Sequence, residues 1–111
     1  MTVTVKNIVP AKIAENTQVT QYTATGVTTI IDKFTATNYS AVAATININL
    51  VTVLGSAGNL NLITKTKTLQ PAEVYTFPEL VGQVLGVGDF ISTIAGTATA
   101  INMRVSGREV T

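Results

Sequence analysis

The chain predicts an all-β fold: a single-domain antiparallel β-sandwich, jelly-roll or Ig-like, spanning 1–111 and built from about seven to eight strands. Three observations predict it. Of 111 residues, 20 are Thr, 14 Val and 10 Ile, and β-branched side chains fit a pleated surface while they crowd a helix. Apolar and polar residues alternate with the two-residue period of half-buried strands in segment after segment. Gly, Pro, Asn and Asp clusters separate those segments at the short spacing of antiparallel connections. The length suits one hydrophobic core.

The elements follow in order. Val3 and Val5 face one way against Thr2, Thr4 and Lys6, and Pro10 is expected to stop that first strand. A short strand covers about Val19 to Ala24 and ends at Thr25-Gly26. The third, from about Thr28 to Thr37, sets Ile30, Asp32, Phe34 and Ala36 against Thr29, Ile31, Lys33 and Thr35. Asn38-Tyr39-Ser40 is turn chemistry, because Asn and Ser bond to nearby backbone groups.

The fourth strand, about Val42 to Leu54, has the clearest alternation: Val42, Ala44, Ile46, Ile48 and Leu50 against Thr45, Asn47 and Asn49. Past Leu50 the alternation decays, so either a bulge switches faces there or both faces are covered. A loop at Gly55 to Asn59 leads to a fifth strand from about Leu60 to Leu69. Gln70-Pro71-Ala72 turns the chain into a short strand, Glu73 to Phe77, ended by Pro78. Leu80, Val81, Val84 and Leu85 have helical spacing, but Gly82 and Gly86 limit them to a turn or two of helix or an extended rim. Phe90 to Ala95 and Thr99 to Val110 close the domain as an expected hairpin, with Ile101, Met103 and Val105 inward. The predicted core is Val5, Ile30, Phe34, Ile46, Ile48, Leu50, Ile101, Met103 and Val105.

Composition narrows function. His, Cys and Trp are absent, which removes disulfides, thiolate sites and most nucleophile–base pairs. A net charge of +1 cannot supply the clustered cations that nucleic acid requires. Val42 to Leu54 is too short and too polar to span a bilayer. The N-terminus alternates instead of opening with basic residues and an apolar block, so no ordinary signal peptide is expected. Glu15, Asp32, Glu73, Glu79, Asp89 and Glu109 form no same-face pair by spacing. Asp32, set beside apolar neighbours, is assigned to backbone amides or to Lys33 or Lys65. Tyr22, Tyr39 and Tyr75 read as core-edge anchors with hydroxyls reaching water. Catalytic residues, metal ligands and cofactors are therefore expected to be none.

One distribution points towards a surface. From Phe34 to Thr64 there is no charged residue, although free strand edges are normally guarded by Lys, Pro or inward charges. These strands are either central in their sheet or in contact with another subunit. The outward row Asn47, Asn49, Val51 and Val53 is the candidate subunit interface. The competing explanation is a second layer of the same chain lying over that row.

The order of segments carries a resemblance. A Tyr22 strand leads through Gly26 into a Thr/Ile strand, then Asn38-Tyr39-Ser40, a long alternating strand and a Gly/Asn loop. A Leu-x-Pro turn follows at Leu69 to Pro71, then Leu85-Gly86-Val87-Gly88-Asp89, and Val-Ser-Gly at Val105 to Gly107. This layout resembles small β-sandwich virion proteins of tailed bacteriophages, the capsid decoration (cement) proteins and the neck or tail accessory proteins. The resemblance implies a non-enzymatic structural protein of the virion, whose partners are copies of itself and a major capsid or neck/tail protein. It implies neither nucleic acid nor membrane as partner. A carbohydrate- or receptor-binding module is the alternative from another class.

Overall fold

The structure is a computed structural model that describes residues 1–111. Nine strands form: β1 (Val3–Ile13), β2 (Val19–Thr23), β3 (Thr28–Asn38), β4 (Ala44–Val51), β5 (Leu62–Leu69), β6 (Val74–Tyr75), β7 (Val84–Leu85), β8 (Phe90–Ala95) and β9 (Ile101–Val110). The only helical pieces are single 3₁₀ turns at Asn59–Asn61 and Pro78–Leu80. One antiparallel sheet has the order β1-β9-β3-β6, with β7 also on β3; the other has the order β2-β8-β4-β5. β6 and β7 pair with opposite ends of β3 and act as one interrupted strand. The pairs β1–β9, β2–β8, β3–β6/β7 and β4–β5 are those of a long hairpin wound over itself, the jelly-roll topology. β8 and β9 lie in opposite sheets, so the expected closing hairpin is instead a crossover between layers.

The core sits between the sheets. Phe34, Phe77, Ile31, Ile46, Ile48, Leu69, Ile91, Ile101 and Met103 are fully buried there. Phe77 packs edge-to-face on Phe34 and on Tyr75, with ring centroids 4.9 and 4.7 Å apart. Two predicted core residues are corrected. Val5 is 83% exposed and Ile30 is only half-buried, while Ile31 is buried in its place. Leu50 is half-buried but packs against the core.

Bulges cause both corrections, since one extra residue flips every side chain after it. β3 carries an extra residue opposite β9 between Ile31 and Lys33, so Thr29 and Ile31 point inward before it and Phe34 and Ala36 after it. β1 carries extra residues between Lys6 and Val9 and between Val9 and Lys12. Its first half therefore turns the valines out, and Ile8 and Val9 reach the core only past the first bulge. Pro10 lies in the second bulge, on the sheet's outer edge, where no N–H is needed; the strand runs on through it to Ile13. Gly107 sits where β3 kinks, because a Cβ there would collide with the Ile30 carbonyl oxygen.

The long edge strands are all bulged: β1 twice, β5 twice and β2 once. The fourth edge is made of two-residue pieces. Bulges and short edges are how sheets avoid pairing with other chains. Strand β4, which is charge-free, and β3, which is charge-free from Phe34 on, are both central.

Candidate interaction surface

The six carboxylates are committed to holding the fold. Glu109 accepts a hydrogen bond from the Tyr22 hydroxyl and pairs with Lys6 at 3.2 Å. Tyr22 also meets Thr29 Oγ1 at 2.7 Å, so this cluster ties β2 of one sheet to β3 and β9 of the other. Burial, reinforced by the Glu109 carboxylate, pushes the Tyr22 phenol up to about 12. The same hydrogen bond, helped by Lys6, holds Glu109 below the usual carboxylate range. Lys12 does likewise for Glu15 through a 2.9 Å bond.

Asp32 pairs with Arg108 at 2.8 Å across β3 and β9, which corrects its assignment to backbone amides or lysines. Glu79 accepts from Thr64 Oγ1 at 2.6 Å and from the Tyr75 hydroxyl at 3.3 Å. Thus Tyr22 and Tyr75 bond to carboxylates instead of reaching only water, and Tyr39 alone is exposed. Glu73 accepts the Gln70 N–H at 2.7 Å. Asp89 accepts the N–H groups of Val53 at 3.0 Å and Gly86 at 2.9 Å. No three His, Cys, Asp or Glu side chains come together as metal ligands.

The row Asn47, Asn49, Val51 and Val53 divides into parts. Asn47 is half-buried and its Oδ1 accepts the Thr66 N–H at the β5 bulge. Asn49 is 3% exposed and Val51 is buried, both under the chain's own 52–61 loop. Asn49 Nδ2 donates to the Gly58 carbonyl at 3.0 Å and to Asn61 Oδ1 at 2.7 Å. Asn61 in turn accepts the Gly58 N–H at 3.0 Å and donates to the Ser56 carbonyl at 2.8 Å. The second layer over this row is the same chain. Val53 lies beyond it, partly exposed.

That covering loop carries the most exposed large apolar side chains of this side of the sandwich. Its base is braced by the asparagine network and its flank by Asp89. Gly88 approaches so closely that a Cβ there would lie 2.6 Å from a Val53 methyl. The rigid frame presents Leu54 and Leu60, both fully exposed. Leu54 is held at φ 67°, a conformation that costs an L-residue about 1–2 kcal/mol. Val53 and Val87 add exposed apolar surface beside it. Buried amides and a left-handed backbone thus hold two bare leucines in water. The sequence carries one sign of this, the two leucines flanking a Gly/Ser/Asn loop in a charge-free stretch, and composition alone makes that segment a connection.

Next to the covered half of β4 lies a shallow depression of about 170 Å³, lined by Thr45, Asn47, Thr66, Ile94, Ala95 and Gly96. β2, β4 and β8 contain no charged residue, so this side of the sandwich is uncharged except along β5. The depression's lining offers apolar contact and neutral hydrogen-bonding groups, and no charge. No protein-family model, curated protein or solved structure matches the chain.

Proposed function

We propose that this chain is a non-enzymatic structural protein of a bacteriophage particle, a capsid decoration (cement) protein that stabilises the head through protein–protein contacts. The observation that carries the docking role is the rigid 52–61 loop with its bare Leu54 and Leu60, on a sandwich whose edges are blunted against strand addition. The commitment of all six carboxylates to the fold supports a role without catalysis. The virion assignment rests on the segment-order resemblance. Many modest contacts of this kind rigidify a shell by avidity without any single strong one. A neck or tail adaptor would use the same loop.

Electron cryo-microscopy of particles bearing the protein tests the reading. Copies in the hundreds on the head shell, with the 52–61 loop against the capsid protein, are expected. About six or twelve copies near the portal would move it to the neck or tail. Failure to bind particles at all would overturn it. The uncharged depression favours one other reading, a carbohydrate- or receptor-binding module. In that case Asn47→Ala would abolish glycan or receptor binding, and particle association would not depend on Leu54.

A further inference from the structure

The start of β1 is held to the molecule along one side. Met1 to Asn7 are all exposed, on both faces of the strand, and burial begins at Ile8. The bulge between Lys6 and Val9 divides this arm from the part of β1 that enters the core. The arm is attached by its ladder on β9: Val3 opposite Val110, Thr4 opposite Glu109, Val5 opposite Arg108 and Lys6 opposite Gly107. Thr2 and Thr111 extend the ladder by exchanging both backbone bonds, at 3.2 and 2.9 Å. Lys6 reaches diagonally past Gly107 to Glu109, at 3.2 Å. Hydrogen bonds and a part-exposed ion pair add little net stability against water. A strand with no buried side chain on either face is therefore among the first segments to open.

The half of β9 beside the arm is fixed independently of it. Gly107 to Val110 pair on their other side with Ile31 to Thr28 of β3, and Tyr22 of the facing sheet donates to Glu109. When the arm lifts, these four residues present a straight edge of unpaired N–H and C=O groups. The ladder there is unbulged, unlike the edges at β2 and β5, and such an edge takes up an extended segment. We infer that it takes the Met1–Lys6 arm of a second copy, so that two chains exchange arms in a closed two-fold dimer. The register names the occupant. A copy's arm restores every backbone bond and sets its Lys6 where Glu109 meets a cation, so no new complementary surface is needed. A foreign strand would have to match both features. Exchange trades identical contacts and is therefore governed by concentration: the chain's own arm prevails in dilute solution and a neighbour's arm at high local concentration. The inference needs this chain alone and goes beyond the particle role proposed above.

The chain has no cysteine, so disulfide trapping reads the exchange directly. Thr2 and Thr111 form a hydrogen-bonded pair, which makes Val3 and Val110 the adjacent non-hydrogen-bonded pair, the closer kind and the one a disulfide can bridge. Full-length Val3→Cys and Val110→Cys proteins, mixed at high concentration and oxidised, are expected to give a linked heterodimer of twice 11.6 kDa. Val42→Cys, also exposed but outside any strand, should give none with Val110→Cys. The double variant Val3→Cys/Val110→Cys, oxidised when dilute, should close on itself. It should then stay monomeric at concentrations where the wild type sediments as a dimer. Mixed disulfide no more abundant than with the Val42 control overturns the inference, as does a closed double variant that dimerises like the wild type or a wild type that never dimerises. Particle binding separates the two claims. A closed monomer that still decorates particles leaves the proposed function standing without exchange, and exchange by a protein that binds no particle does the reverse.

Discussion

The two outer faces of this sandwich met the same problem and answered it differently. Each carries an outward strand row that is too apolar or too uncharged for water: Asn49 and Val51 on β4, and Val5, Ile30 and Val84 across β1, β3 and β7. The β4 row is covered by the chain's own 52–61 loop, and Asn49 is 3% exposed. The β1 row has nothing over it, and Val5 is 83% exposed. An outward row of unexpected chemistry can therefore lie under a layer of its own chain or stand bare, and only the structure tells the two apart. The blunted edges sharpen the contrast. With strand addition discouraged at the edges, the open positions for contact are the valine face, the depression beside β4 and the leucine-tipped loop.

The largest effect separates the true interior from both outer faces. Ile48→Ala should cost about 2–5 kcal/mol in denaturant unfolding, because Ile48 is fully buried among β-sandwich neighbours. Val5→Ala should cost within about 0.5 kcal/mol in the monomer. Comparable losses at the two positions would mean that β1 is covered within its own domain, and the contrast between the faces would collapse.

Asn49→Ala comes next and tests the covering layer itself. It removes one of the two donors to each of the Gly58 carbonyl and Asn61 Oδ1, and the two lost hydrogen bonds should together cost about 1–3 kcal/mol. Hydrogen exchange should quicken first in the 52–61 loop. If protection is lost across the whole molecule and not in the loop, the asparagine supports the sandwich and not its cover.

The alternation made the sandwich and most boundaries of the longer strands legible, since Phe90–Ala95 and the inward set Ile101, Met103 and Val105 are read correctly from the two-residue period. The two-residue strand Val84–Leu85 brings the seven to eight expected strands to nine. What the period cannot show is a one-residue slip. Nothing in Ile30-Ile31-Asp32-Lys33-Phe34 announces that the extra residue falls after Ile31, so a single phase carried through that segment puts Ile30 inside. Pro10 misled for a related reason, because a proline ends a central strand but is tolerated in a bulged edge strand. The loop site was legible only as composition. That Asn49 reaches out to Gly58 and Asn61 is long-range information, absent from the local pattern of either segment.

The clamp between the sheets gives a pH signature. Tyr22 has its phenol raised from 10.0 to about 12, so its stabilisation is complete below pH 10 and is lost as pH climbs towards 12. Glu109 has its carboxyl lowered from 4.5, so its contribution is complete above about 4.5 and disappears as pH falls through the depressed value. Tyr22→Phe should reduce the alkaline loss to the part that Tyr75, also raised by burial and Glu79, contributes. It should also weaken the acid loss and lower stability at neutral pH by about 1–3 kcal/mol. Unfolding midpoints measured across pH check this. An unaltered alkaline limb in the variant would show that another group titrates there.

The smallest effect on stability is the most telling about the loop. Leu54 is fully exposed and held at φ 67°, where glycine is at ease and leucine is strained. Leu54→Gly therefore removes no packing and relieves the backbone, while adding some freedom to the unfolded chain. The net should be neutral to about 1 kcal/mol stabilising. If the leucine is retained for a partner, the same variant should lose particle association while its thermal midpoint holds or rises. A fall of more than about 1 kcal/mol would mean that Leu54 packs on its own chain. The 52–61 loop would then be a cover for β4 and nothing more, leaving the valine face as the larger bare surface on the molecule.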